Sequence, residues 1–371
     1  MSVKVSYSKQ FVFGILLILV ILVVIEGLVR IYLYEQPTCY ITSSDSYENV
    51  DPDLKRQMCQ DYSSVIFNPY PIPYLKPDQN FKTIHIDSDG FRGPEITKQK
   101  PENTYRIFVI GGSTVFGWGA TSDESSIPGY LQEDFNKANL NFKVQVVNTG
   151  VPAALSLEEV EYVKNKLLDY HPDMLIVFEG FNDVAADENA LKEEYGGFLS
   201  KSLTTYEKFF TFYKTPLIVY GTFNSITKIF FYKNLMINQH LGDNYVKVKT
   251  SHWKDRWKEI CELGKKEGFD TLITVEPFLG VGNKTLTKYE YNNLIKMINP
   301  FWLSHYSKYV DALDELNNTC TKTADLRGVF DQTSGPIYLD FVHKNDKGNK
   351  IVADKLFELS LPIIKQKESL R

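Results

Sequence analysis

The sequence is poor in metal ligands. Only six histidines are spread over 371 residues, and none stands in a His-Glu-x-x-His arrangement. The four cysteines, Cys39, Cys59, Cys261 and Cys320, form no Cys-x-x-Cys pair, which argues against a zinc ribbon. Neither metal nor cofactor is expected. Positive charge is not in excess: 41 Lys and Arg against 46 Asp and Glu leave a formal charge of −5. Nothing therefore favours nucleic acid as a partner. Internal repeats are absent. No Ala-x-Ala-like cleavage site and no lipobox cysteine follow the apolar run near the N-terminus.

Apolar residues are plentiful. At 43% hydrophobic and 23% charged, the chain can fold around a substantial core, as one large or two ordinary domains. Aromatics reach 14%, which suits a carbohydrate or lipid ligand and suits a plain core equally well. Phe11 to Ile25 is a run of fifteen residues without a polar side chain. Extended to Leu33 it gives a helix about 35 Å long, enough to span a bilayer core. Glu26 and Arg30 stand four apart and can pair on one helix face. Lys4 and Lys9 precede the run, which favours a cytoplasmic N-terminus. The expectation is an uncleaved signal anchor; the rival is a cleaved signal peptide.

Residues 35–105 are polar and rich in Pro, Asp and Tyr. Asn68-Pro-Tyr-Pro-Ile-Pro73 must be extended, because each proline restricts its predecessor. Thr83 to Asp87 alternates like a short strand. Regular alternation starts at Arg106. Ile107 to Ile110 reads as a strand buried on both faces. A helix is expected near 126–139, then a strand at 142–150. Ser156-Leu-Glu-Glu159 reads as a capping box opening a helix to about Tyr170. Strands follow at 173–178 and 271–275. Between them, the aromatic stretch Phe209 to Phe231 reads as a pair of packed helices or a cap. Trp253, Trp257, Ile260 and Cys261 line one helix face, ended by Gly268. A long helical stretch is expected from about Thr287 to Leu316, a last short strand at 328–331, and a final helix with Val352, Leu356 and Leu359 on its apolar face. Strands alternating with helices imply a mostly parallel sheet in a three-layer α/β/α sandwich.

Three strand ends deliver polar residues to one edge: Ser113 after Gly111-Gly112, Asn148 to Gly150, and Gly180 to Asp183. Asp340 and His343 precede the last helix. Open α/β sheets place ligands at this edge. Serine, histidine and aspartate are the parts of a nucleophilic triad. A glycine N–H and an asparagine amide are suitable oxyanion donors. The Gly-x-Ser-x-Gly elbow of α/β-hydrolases is absent, since residues 111–115 read Gly-Gly-Ser-Thr-Val.

These blocks resemble the SGNH/GDSL hydrolase superfamily, in family order, over roughly 105–183 and 251–362. Gly111-Gly112-Ser113 stands where the family has Gly-Asp-Ser. Gly180-Phe-Asn-Asp183 matches its Gly-x-Asn-Asp, and Asp340-Phe-Val-His343 its Asp-x-x-His. The resemblance implies Ser113 as nucleophile, His343 as base and Asp340 as its orienting partner. It implies an oxyanion hole from the Ser113 N–H, the Gly150 N–H and the Asn182 side chain. Gly112, Gly180 and Asp183 would support these residues.

The expected organisation is a cytoplasmic tail and transmembrane anchor at 1–34, a stalk and extension at 35–105, and an SGNH-hydrolase-like catalytic domain at 106–365 with an insertion at 184–250. The catalytic domain is expected outside the cytoplasm. There, proximity in sequence would pair Cys39 with Cys59 and Cys261 with Cys320, one of three possible connectivities. The expected activity is a serine esterase acting on O-acyl esters of a glycan or lipid. Alternatives are an O-acyltransferase of a surface polysaccharide and a non-catalytic anchored binding protein.

Overall fold

A computed structural model of the chain describes residues 6–35, 39–68, 74–186 and 242–368. These fall into two compact units. One contains the helix Tyr7–Glu35, in which Tyr7–Ile31 is long and apolar enough to cross a membrane, with a mean hydropathy of 3.1. Arg30 and Glu26 pair on it at 2.9 Å, one turn apart as their spacing requires.

The other unit, from Cys39 onward, is built on a five-stranded parallel sheet. Its strands are β1 (Thr104–Ile110), β2 (Lys143–Asn148), β3 (Met174–Glu179), β4 (Asp270–Val275) and β5 (Lys322–Asp325), in the order β2-β1-β3-β4-β5. Every residue of β1, β3 and β4 is buried, which is why β1 and β3 carry the apolar runs Ile107 to Ile110 and Met174 to Phe178. The helices Ile127–Lys137 and Asp346–Glu368 pack together. So do Ser156–Asn165 and Gly242–Glu267, and the latter also contacts Ser307–Asp314. Trp253, Trp257, Ile260 and Cys261 are all buried in the main core. In this strand order the winding sense switches between β1 and β3, and their carboxyl ends mark the place where open α/β sheets bind ligands.

Several expectations are corrected. The last strand is Lys322–Asp325, and 328–331 is a turn. The stretch 287–316 is no single helix: Pro300 lacks the N–H that would continue it and instead starts the helix Pro300–His305. The helix opening at Ser156 has Leu155 as its cap residue, because Ser156 turns its hydroxyl elsewhere; Glu158 reaches back to the Leu155 N–H at 2.9 Å. Of Thr83 to Asp87, only His85–Ile86 forms a strand, paired with Gln79–Asn80. Residues 69–73 and 187–241, including the aromatic stretch, lie outside the described residues.

Both expected disulfides are present, with Cα separations of 5.8 Å for Cys39–Cys59 and 4.8 Å for Cys261–Cys320. Residues 39–65 pack against the loops at the sheet edge. Ile41, Tyr47, Met58, Cys59 and Tyr62 form a second buried cluster with Phe116 and Leu339 of the catalytic loops.

Candidate active site

Ser113 opens a one-turn helix, Ser113–Phe116, directly after β1 and two glycines. A Cβ on Gly112 would lie 2.3 Å from the Asn182 amide nitrogen. No side chain fits there while Asn182 keeps its place, which gives the Gly-Gly-Ser sequence a steric reason.

Asp340 to His343 fold as a tight turn around the aspartate. Asp340 Oδ1 accepts the N–H groups of Val342 and His343, both at 2.8 Å. Its Oδ2 lies 2.7 Å from His343 Nδ1, and His343 Nε2 lies 2.7 Å from Ser113 Oγ. A carboxylate at Nδ1 favours the tautomer with its proton there, leaving Nε2 to accept the serine proton. Burial pushes the Asp340 carboxyl up. Electrostatic attraction to His343, its side-chain hydrogen bond and the two N–H donors outweigh that, and the group sits below its ordinary value. Trp118 flanks the imidazole, with ring centroids 6.0 Å apart.

Asn182 arrives from β3. Gly180 takes a positive φ of +129°, which favours glycine, and turns the chain into the short helix Phe181–Ala185. The Asn182 amide donates to the Ala154 carbonyl at 2.8 Å. An amide nitrogen has two hydrogens, so one remains for a ligand. Asp183 points backwards: it accepts from the Ser156 N–H at 2.8 Å and the Ser156 hydroxyl at 2.6 Å, tying this loop to the helix beyond β2.

Beneath the loop, Glu159 and Glu179 are buried beside Asp183. Burial, reinforced by the neighbouring carboxylates, pushes both well above the usual carboxylate range.

Gly150 is placed differently from the expectation. Its N–H donates to Asn148 Oδ1 at 3.0 Å, and a Cβ there would meet the Phe116 nitrogen at 2.0 Å. The N–H expected to face an oxyanion is thus engaged within the protein. Three residues on, Ala153 holds φ +63° in an exposed turn closed by Ala154 N–H to Val151 O at 3.1 Å. Its own N–H has no hydrogen-bond partner among the described residues. The sequence carried a signal that the reading missed. Proline at the second position of a turn, here Pro152, is common where the third takes positive φ.

Also missed were the side chains that hold the Ser113 loop from outside. Arg92 donates to the carbonyls of Phe116 and Gly117, each at 3.0 Å, and pairs with Asp123 at 2.7 Å. The Tyr62 hydroxyl reaches Gly117 O at 2.6 Å and Ala120 O at 2.9 Å, and Tyr47 donates to Gly119 O.

A family model described as GDSL-like Lipase/Acylhydrolase matches residues 107–356. No curated protein matches the chain. Solved structures to which the chain is similar include the acetyl xylan esterase AlAXEase, at 16% identity over 68% of this chain and 98% of that one, TM-score 0.41. Axe2, an acetylxylan esterase from Geobacillus stearothermophilus, is similar at 12% identity over 68% and 93%, TM-score 0.41. A G-D-S-L family protein from Desulfitobacterium hafniense DCB-2 is similar at 11% identity over 68% and 98%, TM-score 0.39. The matched segment takes in Ser113, Asn182, Asp340 and His343 together with most of β1 and the other four sheet strands, and the chain therefore belongs to the GDSL-like lipase/acylhydrolase family, as an ester hydrolase of the SGNH type.

Proposed function

We propose that this hydrolase cleaves O-acyl esters of a glycan or lipid through an acyl-serine intermediate, with Ser113 as nucleophile. The observation that carries this reading is the hydrogen-bonded series Asp340–His343–Ser113, with both links at 2.7 Å. His343 takes the Ser113 proton as Oγ attacks the ester carbonyl, and the imidazolium that forms is steadied by Asp340. The oxyanion develops against the Ser113 N–H and the free hydrogen of the Asn182 amide. Gly150 would join them only by releasing Asn148. His343 then returns the proton to the leaving alcohol. Water, activated by the same imidazole, attacks the acyl-serine and frees the acid.

The apolar helix and the two disulfides support a catalytic unit outside the cytoplasm, tethered by its N-terminus. Protease added to intact cells should then digest residues beyond 35, and full protection would refute that topology.

The test of the chemistry is a screen of the full-length protein in detergent against aryl acetates and longer acyl esters. Turnover should vanish in Ser113→Ala, and the acyl-enzyme should decay in water without an added acceptor. Persistence of the acyl-enzyme until a glycan is supplied would make the protein a transferase. Unchanged turnover in Ser113→Ala would refute the assignment.

A further inference from the structure

Glu276 follows β4 directly, at the same sheet edge as the residues after β1 and β3, and is 4% exposed. Its Oε1 accepts the Phe181 N–H at 3.3 Å, and its Oε2 lies 3.5 Å from Lys344 Nζ. Phe181 immediately precedes Asn182, and Lys344 immediately follows His343. The Glu276 backbone is anchored at both ends: its N–H donates to Glu179 O at 2.9 Å, and its carbonyl accepts the Tyr306 hydroxyl at 2.7 Å. Lys344 is 1% exposed, with its ammonium over the Phe178 ring at 5.2 Å. The end of β3, the end of β4 and the histidine loop therefore meet at one buried ion pair.

Burying an ammonium and a carboxylate together is a poor way to gain stability, because desolvation offsets most of their attraction. What such a pair supplies is a fixed geometry. The oxyanion donor and the base act on one tetrahedral centre, and an error of about 1 Å between them costs on the order of 10²-fold in rate. We propose that the Glu276–Lys344 pair is a positioning strap that sets the Asn182 loop against the His343 loop. Neither side chain touches the reacting atoms. Glu276 holds one loop by a backbone N–H, and Lys344 is itself part of the other. The inference rests on the reading of Ser113 and His343 given above.

The test is a double-mutant cycle on ester hydrolysis by the full-length protein. Glu276→Gln keeps the volume and the acceptor for Phe181 but removes the ion pair. It should lower kcat by about 10–100-fold with KM within about threefold, since the loss falls on transition-state geometry. In an Asn182→Ala background the same change should cost clearly less, because one of the two groups being aligned is gone. An equal loss in both backgrounds, or no loss in the wild type, would overturn the proposal. If Glu276→Gln does not fold, Glu276→Gln with Lys344→Met removes both charges, a change that buried pairs often tolerate. That double variant should melt near the wild type with kcat reduced at least about tenfold; wild-type turnover would overturn the strap. Ser113→Ala separates the two failures. Turnover that survives it removes the site reading. Turnover that depends on Ser113 but not on Glu276 removes only the strap.

Discussion

The Ser113 loop is gripped from two sides, and the two sides are built by opposite means. On the sheet side, position comes from backbone: parallel strands deliver Ser113 and Asn182 to one edge, and glycines allow the close approach of Gly112 to Asn182. On the other side, the described residues of 39–92, among them the helix Pro52–Ser64 that carries Tyr62, lie outside the five-stranded sheet and act through side chains. Arg92, Tyr62 and Tyr47 donate to the carbonyls of Phe116, Gly117, Gly119 and Ala120. A loop turning sharply inside a protein leaves carbonyls that neither strand nor helix can satisfy, and each costs free energy if left without a donor. The sheet places Ser113, the proposed nucleophile; the extension satisfies its loop. Changes on the first side should therefore cost turnover before stability, and changes on the second should cost stability first.

The sharpest test of the first half is His343→Ala. We expect roughly 10⁴-fold loss of kcat, little change in melting temperature, and almost no further loss on adding Ser113→Ala, since the pair acts as a unit. A large fall in melting temperature would blur the division. Arg92→Met tests the second half. It leaves the partly buried Asp123 without its ion-pair partner and removes one donor each from the Phe116 and Gly117 carbonyls, so unfolding should become easier by about 3–5 kcal/mol. Denaturant titration would measure this, and a cost under about 1 kcal/mol would show that the loop holds itself.

Gly112→Ala returns to the sheet side. It should displace Asn182 and lower kcat by about 10²-fold, with little added cost in Asn182→Ala. Full additivity would mean that the glycine serves another purpose.

The smallest effect concerns Asp87, in the extension. Burial, against hydrogen bonds from Phe91 and Asp89, raises its carboxyl from 3.8 to about 6. The folded state thus prefers the protonated form. This group adds stability as pH falls from above 6 towards 4, and weighs against the fold at higher pH. Asp87→Asn, which imitates the protonated acid, should raise the melting temperature at pH 8, with the gain fading towards pH 4. A loss at pH 8 would contradict this.

The same contrast decides what could be read from the sequence. The sheet was legible because burial on both faces leaves apolar runs such as Ile107 to Ile110. The residues proposed as the triad could be picked out because they stand at a strand end or in the Asp340–His343 turn. The extension was opaque, because Arg92 and Tyr62 are ordinary surface residues until the partner carbonyls are known. The bond from the Gly150 N–H to Asn148 could not be read for a related reason: a glycine after a strand shows that space is short, not where its N–H points. The last strand was missed because Lys322–Asp325 lies at the sheet's edge and is only partly buried, so it lacks the apolar run that marks the others.

The central claim is that His343 makes Ser113 the nucleophile, and covalent labelling addresses it without knowledge of the natural substrate. Full-length protein treated with an organophosphonate and mapped by mass spectrometry should carry the adduct on Ser113. Labelling should be at least about 10³-fold slower in His343→Ala, because the hydroxyl then lacks a base. An adduct on another serine, or equal labelling of Ser113 without His343, would contradict the account.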